Sequence, residues 1–168
     1  MNPDYFGDSY DIVKKFFVER LHGIGYKVYA DPMLTGEWED DGAAFLKFIG
    51  VKHAEDAPED GRGIALFIDP DTGVNEKGSI KHCPIGYAAD QAGKFSIVFA
   101  FDQSFSRAHE TASKMQEKLA QLRDMGVNGF YYHSHAPFLF AARDLSHLSQ
   151  ARESFIKSGI PKKRFIGL

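Results

Sequence analysis

Aspartate residues stand at the ends of three predicted strands in this chain. Asp31, Asp69 and Asp102 each directly follow a run of strand-forming residues, and Asp71 adds a second carboxylate two residues after Asp69. The carboxyl ends of parallel strands meet at one edge of a sheet, where ligands bind in open α/β folds. The spacing therefore predicts a cleft that is lined by carboxylates.

Carboxylates that lie close together need compensation, because they cannot all stay ionised unless a cation binds or their pKa values rise. Mg²⁺ and Mn²⁺ prefer oxygen ligands and keep several waters, which leaves room for a phosphate group. The sequence accordingly predicts a Mg²⁺ or Mn²⁺ site formed by Asp31, Asp69, Asp71 and Asp102. A metal ion held in this way activates water and steadies the leaving oxygen of a phosphodiester.

Catalysis at such a site is predicted to depend on Asp69, Asp71, Asp102 and Arg107. Arg107 falls in the first turn of a predicted helix, where a cation is unfavourable to the helix dipole, so we expect it to have another role. Further polar side chains are predicted to contact the substrate: Lys77, Lys81, Gln103, Ser104, His133 and His135. The lysines suit phosphate, and the two histidines alternate with a serine, so that they share one face of a strand.

A simpler interpretation of the same residues needs no catalysis. Aspartate is common in turns and at helix N-caps, because its side chain accepts hydrogen bonds from free backbone N–H groups. Under this hypothesis the protein is a binding or accessory module, and the aspartates at the strand ends only stabilise turns. Such a protein would not respond to Mg²⁺ or Mn²⁺.

Helices and strands alternate along the predicted chain. The helical spacing of apolar residues predicts helices that begin at Ser9, Ala43, Ser106 and Leu145. Strands are predicted at residues 26–30, 64–68, 94–102, 127–135 and 163–168. Two of them are continuous apolar runs, which is typical of strands buried on both faces. We therefore expect residues 1–168 to form a single α/β domain with three layers, a mostly parallel Rossmann-like sheet with helices on both faces.

The overall composition limits the partners of the protein. The net charge of −3 argues against a globally basic nucleic-acid-binding protein, although a local basic patch still allows nucleic acid as a partner. Cys83 is the single cysteine, so no intramolecular disulfide forms. The first residues lack the apolar segment of a signal peptide, and no apolar run approaches the ~20 residues that span a bilayer. We expect a cytoplasmic protein without a membrane partner.

The second half of the chain resembles nuclease domains of the PIN and NYN type. The likeness rests on VFAFDQSFSRAHETASKMQEKLAQLRDMGVNGFYY, which is followed by APFLFAARD, and on IALFIDPDTG. In these families a strand ends in an acidic, Ser-containing turn. A helix, a glycine, another strand and a small-residue segment before an acidic residue follow. The resemblance implies a metal-dependent nuclease in which Asp69, Asp102 and Asp144 are acidic ligands.

The first half is similar to the opening of Rossmann-like adenine methyltransferases that act on ribosomal RNA. FGDSYDIVKKFFVERL and KVYADPMLTGEW carry this likeness, since a Gly-Asp-helix-Lys segment precedes the first strand in those enzymes. FIDPDTG stands where they have an Asp-Pro-Pro-aromatic motif, with Asp71 and Thr72 in place of the second proline and the aromatic residue. The resemblance implies an S-adenosylmethionine-dependent protein, or a degenerate non-catalytic relative, with the cofactor bound around residues 31–36.

Overall fold

The computed structural model describes residues 5–33, 41–79, 81–105 and 110–168. These residues form the helices α1 (Ser9–His22), α2 (Gly42–Ile49), α3 (Ile85–Gln91), α4 (Thr111–Asp124) and α5 (Leu145–Lys157). They also form the strands β1 (Lys27–Asp31), β2 (Lys52–His53), β3 (Ile64–Ile68), β4 (Gly73–Asn75), β5 (His82–Pro84), β6 (Ile97–Phe101), β7 (Asn128–Tyr132), β8 (Phe138–Ala142) and β9 (Phe165–Ile166).

Seven strands form one sheet in the order β2-β1-β3-β6-β8-β7-β9, and β4 pairs with β5 in a separate two-stranded sheet. β1 is parallel to both β2 and β3, and β3 is parallel to β6. The pairs β6–β8, β8–β7 and β7–β9 are antiparallel. One half of the large sheet is therefore parallel, as the sequence predicts, and the other half is antiparallel. The protein is α/β with a mixed sheet.

The central strands are apolar along their whole length because side chains on both faces of the sheet are buried. All five residues of β3, of β6 and of β8 are buried. Successive side chains of a strand point to opposite faces of the sheet. Phe67 accordingly belongs to a buried cluster with residues of α1, α2 and α5, whereas Leu66 and Ile68 belong to one with residues of α3 and α4.

Some elements are not among those that we predicted from the sequence. β8 (FLFAA) lies in a segment that we expected to be a small-residue connection, and it is inserted between β6 and β7. Its apolar run has the same pattern that predicts the strand at 64–68, and its pairing with β6 and β7 establishes it as a strand. β4 lies between the predicted strands 64–68 and 94–102, where the sequence predicts no strand, and the seven-residue helix α3 is too short to show helical periodicity. Among the described residues, none of the helices combines the length and the apolarity that crossing a membrane requires.

Gly73 in β4 occupies a position that tolerates no side chain. Its φ angle is +109°, and an added Cβ would overlap Asp102 Oδ1 and lie 2.7 Å from the backbone N of Gln103. We expect Gly73→Ala to lower the free energy of unfolding by about 2–4 kcal/mol, because backbone strain and steric overlap both contribute. Chemical denaturation measures this change.

Gly126→Ala is the matched control for that substitution. Gly126 also has a positive φ of +73°, but an added Cβ would meet no atom within 4 Å. The loss there should be about 1 kcal/mol, since only the left-handed backbone is penalised. Equal losses in the two variants would show that the close approach of Gly73 to Asp102 has no energetic effect.

Candidate functional site

The order of the parallel strands has a topological switch point between β1 and β3. β2 lies on one side of β1, whereas β3 and then β6 lie on the other side. The order in which successive strands join the sheet therefore reverses next to β1. Ligands of open α/β sheets bind at such a point, outside the carboxyl ends of the strands. Asp31 is the last residue of β1, and Asp69 follows the last residue of β3. The backbone N of Asp69 donates a hydrogen bond to Asp31 O at 3.0 Å.

Helix α1 places a buried cation next to Asp69. Asp8 caps this helix, and its side chain accepts hydrogen bonds from the backbone N–H groups of Tyr10 and Asp11. Lys14, one turn further on, lies with its Nζ 2.9 Å from Asp11 Oδ1 and 2.9 Å from Asp69 Oδ2. Lys14 is 1% exposed and Asp69 is also 1% exposed. The result is a buried Asp11–Lys14–Asp69 triad.

One oxygen of Asp69 has no partner among the residues that the structure describes. Both carboxylate oxygens are buried, and within the described part of the chain Oδ1 accepts no hydrogen bond and has no ion pair. Leaving a buried polar atom unsatisfied costs about 1–3 kcal/mol, more for a charged group. Such an atom therefore points to a ligand, and Asp69 lines a cavity that a ligand can enter.

This cavity, which we call the Asp69 cleft, has a volume of about 370 Å³. The described residues that line it are Tyr5, Asp8, Tyr10, Asp11, Lys14, Asp69, Pro70, Asp71, Phe101 and Gln103. Four of them are aspartates and one is a lysine, so the cleft is acidic. The rings of Tyr10 and Phe101 lie 5.5 Å apart and provide an aromatic surface beside the carboxylates.

Burial and charge shift the pKa values of the buried pair. Burial raises the pKa of the Asp69 carboxyl, and the Lys14 ammonium opposes that rise without cancelling it. Burial by itself would lower the pKa of Lys14, but the carboxylates of Asp69 and Asp11 outweigh this effect and raise it. Lys14 is therefore a permanent cation at neutral pH. Asp69 is a carboxylate with a raised pKa in a cleft, which is typical of groups that accept protons from substrates.

Of the predicted site residues near Asp71 in the sequence, some line the Asp69 cleft and others do not. Asp71 lines the Asp69 cleft, and its Oδ2 lies 3.4 Å from the Nζ of Lys81. The backbone carbonyl of Lys81 accepts hydrogen bonds from the N–H and the hydroxyl of Thr72, which fixes the loop after β3. Lys77 is exposed and is not among the described residues that line the cleft.

Asp102 has a different environment from Asp69. Its Oδ1 accepts hydrogen bonds from Val74 N at 2.9 Å and from the backbone N and hydroxyl of Ser104 at 3.2 and 2.6 Å. Its Oδ2 accepts from Lys118 Nζ at 2.8 Å and from the Tyr131 hydroxyl at 2.8 Å. The carboxylate is fully buried and satisfied by these groups, which tie together β4, α4 and β7. Ser104, predicted to bind substrate, is one of them.

The predicted metal ligands do not form a cluster in the described part of the chain. There, no group of three or more His, Cys, Asp or Glu side chains is arranged to hold a metal ion. Asp31 accepts hydrogen bonds from the Tyr87 hydroxyl at 2.7 Å and from Met33 N at 3.3 Å. Between Asp11 and Asp69 the cation is the ammonium of Lys14. Arg107 lies outside the described residues, and the Mg²⁺ or Mn²⁺ site stays a prediction.

The two predicted histidines lie in a second cavity that adjoins the first. This cavity, which we call the histidine cavity, has a volume of about 220 Å³. Its described lining residues are Tyr10, Gln103, Phe105, Thr111, His133, Ser134, His135 and Pro137. Tyr10 and Gln103 line both cavities. Three predicted substrate contacts, Gln103, His133 and His135, therefore lie together.

Sequence reasoning missed Asp11 and Lys14 as site residues. The sequence pattern that could have identified them is a charged residue on the buried face of a helix. Lys14 precedes Phe17, Val18 and Leu21 by three, four and seven positions, which is the spacing of one apolar stripe. Because lysine is almost never fully buried without a partner, a lysine in that stripe predicts a buried carboxylate opposite it.

The chain was also compared with known proteins. Comparisons with protein-family models, with curated proteins and with solved structures gave no significant match. The function of this site must therefore be inferred from its own geometry.

Proposed function

We propose that this protein is a methyltransferase-like nucleoside-binding protein and that Asp69 accepts a hydrogen bond from an amino group of the bound base. The observation that carries the proposal is the buried Asp69, which lines the Asp69 cleft and whose Oδ1 has no hydrogen-bond partner among the described residues. Exocyclic amino groups of bases are good donors to carboxylates. A donor at this position would satisfy the Asp69 oxygen that the described residues leave without a partner.

Lys14 gives Asp69 the properties that this role needs. The ammonium pairs with Oδ2 at 2.9 Å, which orients the carboxylate and leaves Oδ1 for the ligand. Burial raises the pKa of Asp69, so that the carboxylate is a better proton acceptor than an exposed aspartate. When the bound base is the methyl acceptor, its amino nitrogen loses a proton as it gains the methyl group, and in this proposal Asp69 accepts that proton.

The remaining walls of the cleft also suit a nucleoside. Tyr10 and Phe101 present aromatic rings, and base–aromatic stacking contributes about 1–3 kcal/mol per base. S-adenosylmethionine carries a sulfonium and an ammonium group, and the excess of aspartate over lysine in the cleft fits such a cation. When bound, that cofactor supplies an electrophilic methyl group. Of the predicted cofactor segment 31–36, the structure describes residues 31–33.

The fold is compatible with this proposal. Residues of α1, α2 and α5 belong to one buried cluster and residues of α3 and α4 to the other, which supports a three-layer, Rossmann-like arrangement. In that arrangement the Asp69 cleft lies at the carboxyl edge of the parallel strands, where nucleotide ligands bind.

Asp69→Asn tests the proposal in a direct binding experiment. We expect the wild-type protein to bind adenosine or S-adenosylmethionine in isothermal titration calorimetry. In the variant, affinity should fall about 10–100-fold, since a hydrogen bond to a charged group contributes about 1.5–3 kcal/mol. Asp124→Asn, which changes an exposed residue at the end of α4, should leave the affinity unchanged.

The pH dependence of binding provides a second measurement on the same variants. Because burial raises the pKa of Asp69, adenosine affinity should fall as the pH is lowered through that raised value, above the ~3.9 of an ordinary aspartate. Asp69→Asn should remove this fall. Absence of nucleoside binding, together with Mn²⁺ binding that depends on Asp69, would instead favour the metal-dependent phosphodiesterase predicted from the sequence.

A further inference from the structure

The Asp69 cleft and the histidine cavity share a wall but differ in charge. Tyr10 and Gln103 line both, so a ligand can extend from one cavity into the other without leaving the protein surface. Four aspartates line the Asp69 cleft, whereas no carboxylate is among the described residues that line the histidine cavity. An anionic group is repelled from the first cavity and has no such repulsion in the second.

The histidine cavity contains donors that suit an anion. The imidazoles of His133 and His135 each offer an N–H group, and the side-chain amide of Gln103 offers two more. The His135 ring lies 5.9 Å from the ring of Tyr10, which places it beside the aromatic surface of the Asp69 cleft. The hydroxyl of Ser134 is already engaged with Ala136, so the donors left for a ligand are mainly the imidazoles and the amide.

We propose that the histidine cavity is a phosphate subsite, so that the ligand of this protein is a nucleotide whose base lies at Asp69 and whose phosphate contacts His133 and His135. This inference rests on the proposed function for the base, but the phosphate contact can be measured by itself. The ligand has two possible sources, a free nucleotide and a nucleic-acid strand. Both contain a 5′-phosphorylated nucleoside.

The test compares adenosine with adenosine 5′-monophosphate in isothermal titration calorimetry. Wild-type protein should bind the monophosphate about tenfold more tightly, as one charge-assisted hydrogen bond predicts. His133→Ala/His135→Ala should remove most of this difference, because only the amide of Gln103 then remains, and should lower adenosine affinity much less. Asp69→Asn should weaken both ligands by the same factor and preserve the ratio. His53→Ala, on the distant edge strand β2, is the control and should change neither affinity.

A titration of wild-type protein with inorganic phosphate distinguishes the two proposals, and it requires no variant to fold. Added to wild-type protein, it should shift the proton NMR signals of the His133 and His135 rings and leave that of His53 unchanged. Shifted signals without adenosine binding would overturn the base site and support the phosphate subsite. Unshifted signals, or equal affinities for adenosine and its monophosphate, would overturn the phosphate subsite.

A further titration with a single-stranded RNA decamer identifies the source of the phosphate. If the decamer binds more tightly than the mononucleotide and the double histidine variant weakens its binding, the ligand is a nucleic-acid strand. If the mononucleotide binds at least as tightly, the ligand is a free nucleotide. The second result supports the phosphate subsite when the double histidine variant also weakens binding of the mononucleotide. Decamer or mononucleotide binding that this variant does not alter argues against the subsite.

Discussion

Lys14→Met is expected to lower the free energy of unfolding by about 3–5 kcal/mol, the usual cost of removing one partner from a buried ion pair. The ammonium lies 2.9 Å from Asp69 Oδ2 and 2.9 Å from Asp11 Oδ1, and it also lies 5.0 Å from the ring centre of Phe101. Methionine fills the same space but leaves two buried carboxylates facing each other without a cation. Urea denaturation at pH 7 measures the loss.

Two further variants identify the cause of that loss. Lys15→Met changes the neighbouring lysine, which is half-buried and lies 5.1 Å from the ring centre of Phe48, and should cost less than about 1 kcal/mol. Adding Asp69→Asn to Lys14→Met should restore part of the stability, because an amide needs no neighbouring cation. Additive losses in the double variant would contradict a direct Lys14–Asp69 interaction.

Asp102→Ala is the second substitution for which we expect a large effect, again about 3–5 kcal/mol. It leaves Lys118, which is largely buried, without its carboxylate, and it removes the acceptor of the buried Tyr131 hydroxyl and of Val74 N. Asp102→Asn keeps an acceptor oxygen but loses the charge, so its cost should be smaller, about 1.5–3 kcal/mol. Asp124→Ala, at an exposed position, provides the control and should have little effect.

The same variants separate a structural role of Asp102 from the metal-binding role that the sequence predicts. A carboxylate reserved for a metal ion is destabilising in metal-free protein, so replacing it with asparagine would leave stability unchanged or increase it. The five hydrogen bonds that Asp102 accepts lead us to expect the opposite. A stabilised Asp102→Asn variant whose wild-type parent gains stability from Mn²⁺ would favour the metal site.

Much of the secondary structure can be predicted from local sequence patterns. The strand over 64–68 has the bounds that the sequence predicts, and the helix predicted from Leu145 begins there, because continuous apolar runs and helical spacing depend on neighbouring residues alone. The apolar run of β8 has the same pattern as β3, although it is not among the strands predicted above. Its place in the sheet, between β6 and β7, depends on pairing that only the folded chain determines.

In the candidate site, too, the sequence determines some features and the tertiary structure determines others. The sequence alone places Asp31, Asp69 and Asp102 at strand ends, because turn-forming residues follow apolar runs. The sequence also has Lys14 within the apolar stripe of α1, a signal that the sequence reasoning missed. Only the tertiary structure decides which partners each carboxylate meets, since these partners come from distant parts of the chain. Asp102 is satisfied by groups from β4, α4 and β7, whereas Asp69 pairs with Lys14 and has one oxygen without a hydrogen-bond partner among the described residues. The partners of the two carboxylates differ because helices and strands from distant parts of the chain pack around them. A local sequence pattern contains no information about that packing.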